Sequence, residues 1–396
     1  MSPGLVVVVL SLLLGIQPVT TDLYLPALPA LTEGFAAPVS QAQLTLSTLL
    51  LAFGISQLVW GPLSDRFGRR PILLWGLGAY TLASVGCALA PSMPLLIVWR
   101  ALQGVAMGAA VMCARAIVRD LHSPEIGARV MSKALTGLGM IACLCAPLGG
   151  LLADALGWRY ALTALAVFGA GALALVAWRF EETVARKNPL ALNPRILVAN
   201  WTAILQHPTF LAYSALTTAS YAGLFTFLAS SSFVFIKELG LSRTQYGLLM
   251  FSVSVAYILG TLLCRRLLPR YGVRRSLALA AVLTLTGGTL LGVLGWAGLH
   301  NGWAIMLPIY LFMLGHGVHQ PCGQSGAVGP FPRAAGAASA LNGFLMMLAA
   351  FIAGGWLSTR LDDSIVALTQ GVWFFSVCIS LVAWTLVQRH GEPRKI

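Results

Sequence analysis

The sequence predicts an all-α integral membrane protein of twelve transmembrane helices, arranged as two six-helix pseudo-symmetric bundles. Three observations lead there. Charged residues make up 9% of the chain and hydrophobic ones 58%, where soluble domains are roughly a quarter charged. Apolar runs long enough to cross a bilayer, about 20 residues each, recur from end to end. One polar stretch near the middle leaves six such runs on either side.

The runs fall near residues 5–27, 43–60, 72–91, 95–117, 134–153, 160–178, 208–229, 244–264, 277–297, 303–328, 335–357 and 365–387. Their hydrophobicity is unbroken and does not alternate every second residue, which selects helices over barrel strands. The first run lacks the basic leader and small-residue cleavage site of a secretory signal, so it is expected to stay in the mature protein. Cys87, Cys113, Cys143, Cys145, Cys264, Cys322 and Cys378 all lie inside runs, with no metal-ligand spacing. They read as small apolar packing residues.

The expected domains are residues 1–178, a cytoplasmic linker at 179–207, and residues 208–396. "DRFGRR" at 65–70 is echoed by "PRYGVRR" at 269–275, each between the second and third span of its half, which points to an internal duplication. Two similar bundles about a shared midplane site are a recurrent transporter plan.

The net charge of +13 raises nucleic acid as a partner, but its placement argues against that. With both termini inside, all but five of the 25 Lys and Arg lie in or beside cytoplasmic connections. They include Arg66, Arg69 and Arg70 early in the chain and Arg186, Arg333, Arg394 and Lys395 later. Arg159, Lys237, Arg243 and Arg360 face the other side, and Arg100 lies within a span. This is the positive-inside bias of a multi-pass protein whose partner is the lipid bilayer.

Four groups of residues stand out. Asp22 is the only acid well inside a span, where a carboxylate is costly and marks ion or proton pathways. A site that changes its wetness or its partner can load and release a proton there; the other reading is an aspartate capping or solvated at the helix mouth. Arg100 matches its depth, since both lie about 5 residues, roughly 8 Å, from the outer helix end. Always protonated, it either holds the Asp22 anion or bonds backbone carbonyls of a neighbouring helix, unless it snorkels outward as a packing residue. Gln103 follows, and the spacing of Gly104 and Gly108 permits close helix approach.

"GPLSDRFGRRP" at 61–71 supplies the second group. Gly61 and Gly68 allow a tight turn, and Asp65 accepts from arginines or caps a neighbouring helix amino end. With Arg66, Arg69 and Arg70 the cluster reads as a gate latch tying the bundles in one conformation; charge placed only for topology would explain the arginines alone. Third, Pro147, Gly149 and Gly150 predict a bend and a close contact in the fifth span. Fourth, "GHGVHQP" places His316 and His319 three apart on one helical face, beside Gln320, with Pro321 interrupting the helix. Histidine titrates near physiological pH, so the pair reads as proton-handling, substrate-binding or structural. Tyr221, Phe225, Phe227 and Asn342 read either as cavity lining or as packing.

These residues resemble the major facilitator superfamily, and within it the twelve-span drug/proton antiporters of the Bcr/CflA type. "GPLSDRFGRRP" looks like the superfamily's loop 2–3 motif, and "WRALQG" at 99–104 is similar to its fourth-span motif. "TTDLYLPALP" at 20–29 resembles the first-span signature of the Bcr/CflA group; "ARAIVRD" at 114–120 and "PFPRAAGAASALNG" at 330–343 fit it too. The fifth span departs, reading "APLGG" at 146–150 where antiporters carry Gly-Pro, two residues and Gly-Gly. The resemblance implies a proton-coupled exporter of drugs or small metabolites working by alternating access in the bacterial inner membrane. An uptake carrier for a sugar, nucleoside or amino acid is the alternative. No cofactor or metal is implied, and nothing demands more than a monomer. The chain has no GxxxxGK[ST] loop, which argues against ATP as the energy source, and no HExxH or GxSxG motif for an integral membrane enzyme; no selectivity filter suggests a channel.

Overall fold

A computed structural model describes residues 2–122, 124–184, 187–332, 334–360 and 364–391. Arg186, Arg333, Arg394 and Lys395 lie outside the described residues. Eleven of the described helices are long and apolar enough to cross a membrane. One of them, α10 (Arg243–Trp296), has 54 residues and is broken by the non-helical backbone of Gly272, at φ 70° and ψ 175°. That break separates spans eight and nine, so the eleven helices hold twelve spans.

The first span is built in pieces. α1 (Pro3–Asp22) gives way to a 3-10 turn at Leu25–Ala27 and then to α2 (Leu28–Gly34). The cause is local: Pro26 and Pro29 have no N–H, so the carbonyls of Asp22 and Leu25 lose their i→i−4 donors. The expected single run at 5–27 is therefore a broken span reaching Gly34.

α3 (Val39–Phe67), α4 (Arg69–Leu89), α5 (Met93–Leu121), α6 (Pro124–Ala155) and α7 (Trp158–Arg179) are the next five spans. Several outrun their apolar stretches, because the hydrogen-bond ladder continues where the chain meets polar surroundings. The clearest case corrects the expected turn at Gly61: α3 runs through it to Phe67, and only Gly68 separates α3 from α4. Gly68 has φ 108°, a conformation that a side chain would strain.

The polar stretch 179–207 also holds a helix, α8 (Pro194–Leu205). α9 (Pro208–Ser232), prolonged by a π-helical turn at Phe233–Glu238, is span seven. α11 (Gly302–Val328), α12 (Ala335–Ser358) and α13 (Ser364–Trp384) are spans ten to twelve, with a short α14 (Leu386–His390) behind them. Pro321 does not interrupt α11; the helix accommodates it together with Pro308.

The chain forms two compact units. The first comprises Met1–Val198 with Ser242–Leu248, and in it α5 packs against α3 and α4, α4 against α7, and α1 against α6. The second comprises Ala199–Leu241 with Leu249–Ile396, where α9 packs against α11, α12 and α13. Large apolar side chains point outward, among them Trp75, Leu82, Leu89 and Val167, while Arg100 and Gln103 are fully buried. Water would reverse that distribution, and lipid permits it.

Candidate functional site

The first unit contains a buried polar chain centred on Arg100. Its Nη2 donates to the Thr20 carbonyl at 3.1 Å and its Nη1 to Gln103 Oε1 at 2.7 Å. Gln103 passes the chain on, donating from Nε2 to Ser84 Oγ at 2.6 Å. The guanidinium carbon lies 4.2 Å from the centre of the Tyr24 ring, a cation–π contact. Tyr80 and Thr20 hydroxyls meet at 2.7 Å, and those of Tyr24 and Thr45 at 2.8 Å. Spans one to four are thus joined around one guanidinium.

Asp22 stands beside this chain without joining it. Its Oδ1 accepts from Thr21 Oγ1 at 2.8 Å, and the residue is half-buried. The expected Asp22–Arg100 ion pair is not formed. Arg100 instead donates to the Thr20 carbonyl, two residues earlier in span one. Of the two roles open to Arg100, bonding a neighbouring helix's carbonyl is the one observed.

The charged loop is organised around Arg69, which is nearly buried. Its Nη1 reaches Asp65 Oδ1 and Ser64 Oγ, each at 2.6 Å, and its Nε reaches Asp120 Oδ2 at 2.8 Å. Glu182, just past the sixth span, accepts from the backbone N–H of Arg69 at 2.9 Å and of Arg70 at 3.1 Å. It caps the amino end of α4, the position sequence reasoning offered to Asp65, and a side chain at Gly68 would strike its carboxylate. Arg70 bonds the carbonyls of Phe180 and Ala177 at 2.9 Å, and Arg66 that of Pro189 at 2.5 Å. Asp120 was legible only as the last letter of "ARAIVRD", and Glu182 carried no linear signal.

Glycines set two helix contacts. A Cβ at Gly104 would collide with the Leu49 carbonyl, and one at Gly108 with the Ser56 side chain, so α5 lies directly on α3. In α6, a Cβ at Gly149 would collide with the Leu23 carbonyl, placing span five on the break beside Asp22. A Cβ at Gly150 would meet the Arg243 carbonyl, and one at Gly247 the carbonyl of Ala146. The glycine that "APLGG" lacks at position 146 is thus compensated by Gly247 across the contact. Asp154 fastens the same place, accepting from Thr244 N at 2.8 Å and Thr244 Oγ1 at 2.6 Å. Neither Gly247 nor Asp154 was anticipated.

In the second unit span ten is a polar hub. His316 Nδ1 bonds Ser220 Oγ of α9 at 2.8 Å, and its ring packs against Tyr257 and Phe312. His319 Nε2 meets Thr284 Oγ1 of span nine at 3.1 Å. Thr284 donates to the Ala280 carbonyl, so it accepts from His319. The two histidines, neighbours on one face of the helix, serve different partners, Ser220 and Thr284. Gln320 donates to the Thr217 carbonyl at 3.1 Å, and Thr217 Oγ1 donates to Asn342 Oδ1 at 2.9 Å. Phe225 and Phe227 are buried packing residues, and Tyr221 is half-buried.

A guanidinium wholly inside a bundle of apolar spans is costly, and such charges mark pathways for ions and solutes; the class this defines is the multi-pass membrane carrier. The chain belongs to the Major Facilitator Superfamily, whose family model matches residues 10–354 and 219–395. It is 30% identical over 337 residues to multidrug resistance protein D of Escherichia coli (strain K12), covering 85% of this chain and 84% of that one. It is 26% identical over 392 residues to the bicyclomycin resistance protein homolog of Haemophilus influenzae, covering 98% and 97%. Its fold matches a solved structure of the xylose transporter XylE from Escherichia coli with a TM-score of 0.77, at 16% identity over 98% of this chain and 97% of that one.

Proposed function

We propose that the chain is a proton-driven exporter of drugs or small hydrophobic metabolites in the bacterial inner membrane. It works as a monomer by alternating access, with both termini cytoplasmic, residues 1–178 and 208–396 as its two bundles and 179–207 as their linker. The resistance proteins among its relatives support the direction and the substrate class. The observation that carries the reading is the carboxylate of Asp22 at the broken end of α1, with span five packed on the next carbonyl and, among the described residues, no basic side chain in an ion pair with it.

Asp22 carries the proton. Because Arg100 is committed to Thr20 and Gln103, it does not neutralise the carboxylate directly; it fixes the break in span one and lends the site a positive field. Proton loading is then controlled by access to water at the break, and a carboxyl that loads outside and discharges inside can draw on about 2.3 kcal/mol per charge for each 100 mV. The Asp65–Arg69–Asp120 cluster holds the loop in one state of the cycle. In the second unit His316, His319, Gln320, Asn342, Tyr221 and Phe225 contribute polar and aromatic groups for substrate.

The test is reconstitution in vesicles with an imposed pH gradient, following substrate accumulation and internal pH together across a panel containing bicyclomycin and ethidium. Export reading predicts uptake into inverted vesicles coupled to proton release. Counterflow in the opposite direction, with a sugar, nucleoside or amino acid as the coupled solute, would overturn it in favour of an uptake carrier.

A further inference from the structure

All seven cysteines are free, but two of them are not isolated. The sulfur atoms of Cys264, in span eight, and Cys322, in span ten, lie 3.4 Å apart, both in the second unit. Their approach is built by the backbone. One turn before Cys264 stands Gly260, where a Cβ would meet the Leu314 carbonyl, and Gly317 lies directly on Gly260 and the Tyr257 carbonyl. The two helices are in near backbone contact there, and side chains just beyond the crossing must meet. Two cysteines do.

Their surroundings leave a route for chemistry. Both are nearly buried, yet Arg265 and Arg266 follow Cys264 immediately, and Gln324 stands two residues past Cys322; all three are exposed. The pair lies one step inside the polar end of its helices, where a small uncharged oxidant in water can reach it.

We propose that Cys264 and Cys322 form an oxidative modification site for hydroperoxides, which closes them into a disulfide joining span eight to span ten. With hydrogen peroxide, one thiol gives up its proton and its thiolate attacks a peroxide oxygen; the O–O bond breaks, a sulfenic acid forms, and the departing hydroxide takes that proton and leaves as water. The second thiolate attacks that sulfur and displaces the other oxygen as water. Two thiols and one hydrogen peroxide give one disulfide and two waters. The sulfurs must close from 3.4 Å to about 2.0 Å. The bond would clamp the helices next to their glycine crossing and restrain any sliding of span ten, the hub of the second unit. This proposal stands apart from the direction of transport.

The test uses the full-length protein in nanodiscs, treated with hydrogen peroxide, then unfolded and labelled with N-ethylmaleimide. Labels should fall from seven to five, since seven free thiols less two leaves five, and non-reducing peptide mapping should show Cys264 linked to Cys322, reversed by dithiothreitol. Cys113→Ser should form the same linked peptide. Cys264→Ser and Cys322→Ser should form none. Seven labels after oxidation, sulfinic acid at either residue without the link, or a link to any other cysteine would overturn the site.

Discussion

The guanidinium of Arg100 lies 4.2 Å from the centre of the Tyr24 ring while its Nη2 holds the Thr20 carbonyl. Tyr24 and Thr20 flank the end of α1, so the arginine of span four clasps the break in span one from both sides. Pro26 withdraws a backbone donor from the Asp22 carbonyl, and Arg100 donates to the Thr20 carbonyl two residues before it. Break and buried charge are one construction.

Arg100→Lys should therefore fail despite keeping the charge. An ammonium is a point donor and cannot bond Thr20 and Gln103 while lying flat on a ring. Losing one hydrogen bond to a charged group costs roughly 1.5–3 kcal/mol. The unfolding temperature in detergent should drop, and export should fall with it, because the residue lies on the pathway such buried charges mark. Wild-type values for both would show that charge alone suffices.

Asp22→Asn isolates the coupling step, because Asp22 contributes no ion pair to the fold. The variant should insert and unfold like wild type, while substrate-driven proton movement disappears and counterflow of substrate against substrate persists. A thermal shift comparable to that of Arg100→Lys would mean that the two residues pair after all.

The spans, the loop motif and the fourth-span arginine were all legible in the sequence, because each is written in consecutive letters whose physics is local: an apolar run, a charged turn, a charge inside a span. What escaped was contact between distant segments. The depth of Asp22 and Arg100 was readable, but not that the Thr20 carbonyl would win the guanidinium. Glu182 lies 113 residues from Arg69 and Gly247 about a hundred from Ala146, and neither pairing leaves a linear trace. The spacing of the two histidines was readable as well, but not that each ring would meet its own hydroxyl, one on α9 and one on span nine.

α6 contains its own control for the glycine argument. A Cβ at Gly149 would collide with the Leu23 carbonyl, whereas one at Gly139 meets nothing within 4 Å. Gly149→Ala forces two backbones apart and should destabilise by about 1–3 kcal/mol and impair export. Gly139→Ala should be neutral or stabilise by about 0.5–1 kcal/mol through helix propensity. Unfolding midpoints of the two variants, side by side, decide it; equal effects would remove the close contact at the break.

Glu182 provides the last test, because it separates the capping of α4 from the ion pairs of Arg69. Its two carboxylate oxygens take the N–H groups of Arg69 and Arg70, a fixed dipole end that favours negative charge. Glu182→Ala leaves those donors unpaired, a loss of about 0.5–2 kcal/mol for a cap. Asp65→Asn, by contrast, leaves Asp120 on Arg69 Nε, so it should slow turnover more than it lowers stability. If the backbone cap and the side-chain acids together fix Arg69, Glu182→Ala and Asp120→Asn together should fall short of the sum of their separate costs, since either one already loosens the same residue, one through its N–H and the other through its guanidinium. Strict additivity in unfolding free energy would place the cap and the latch in independent roles.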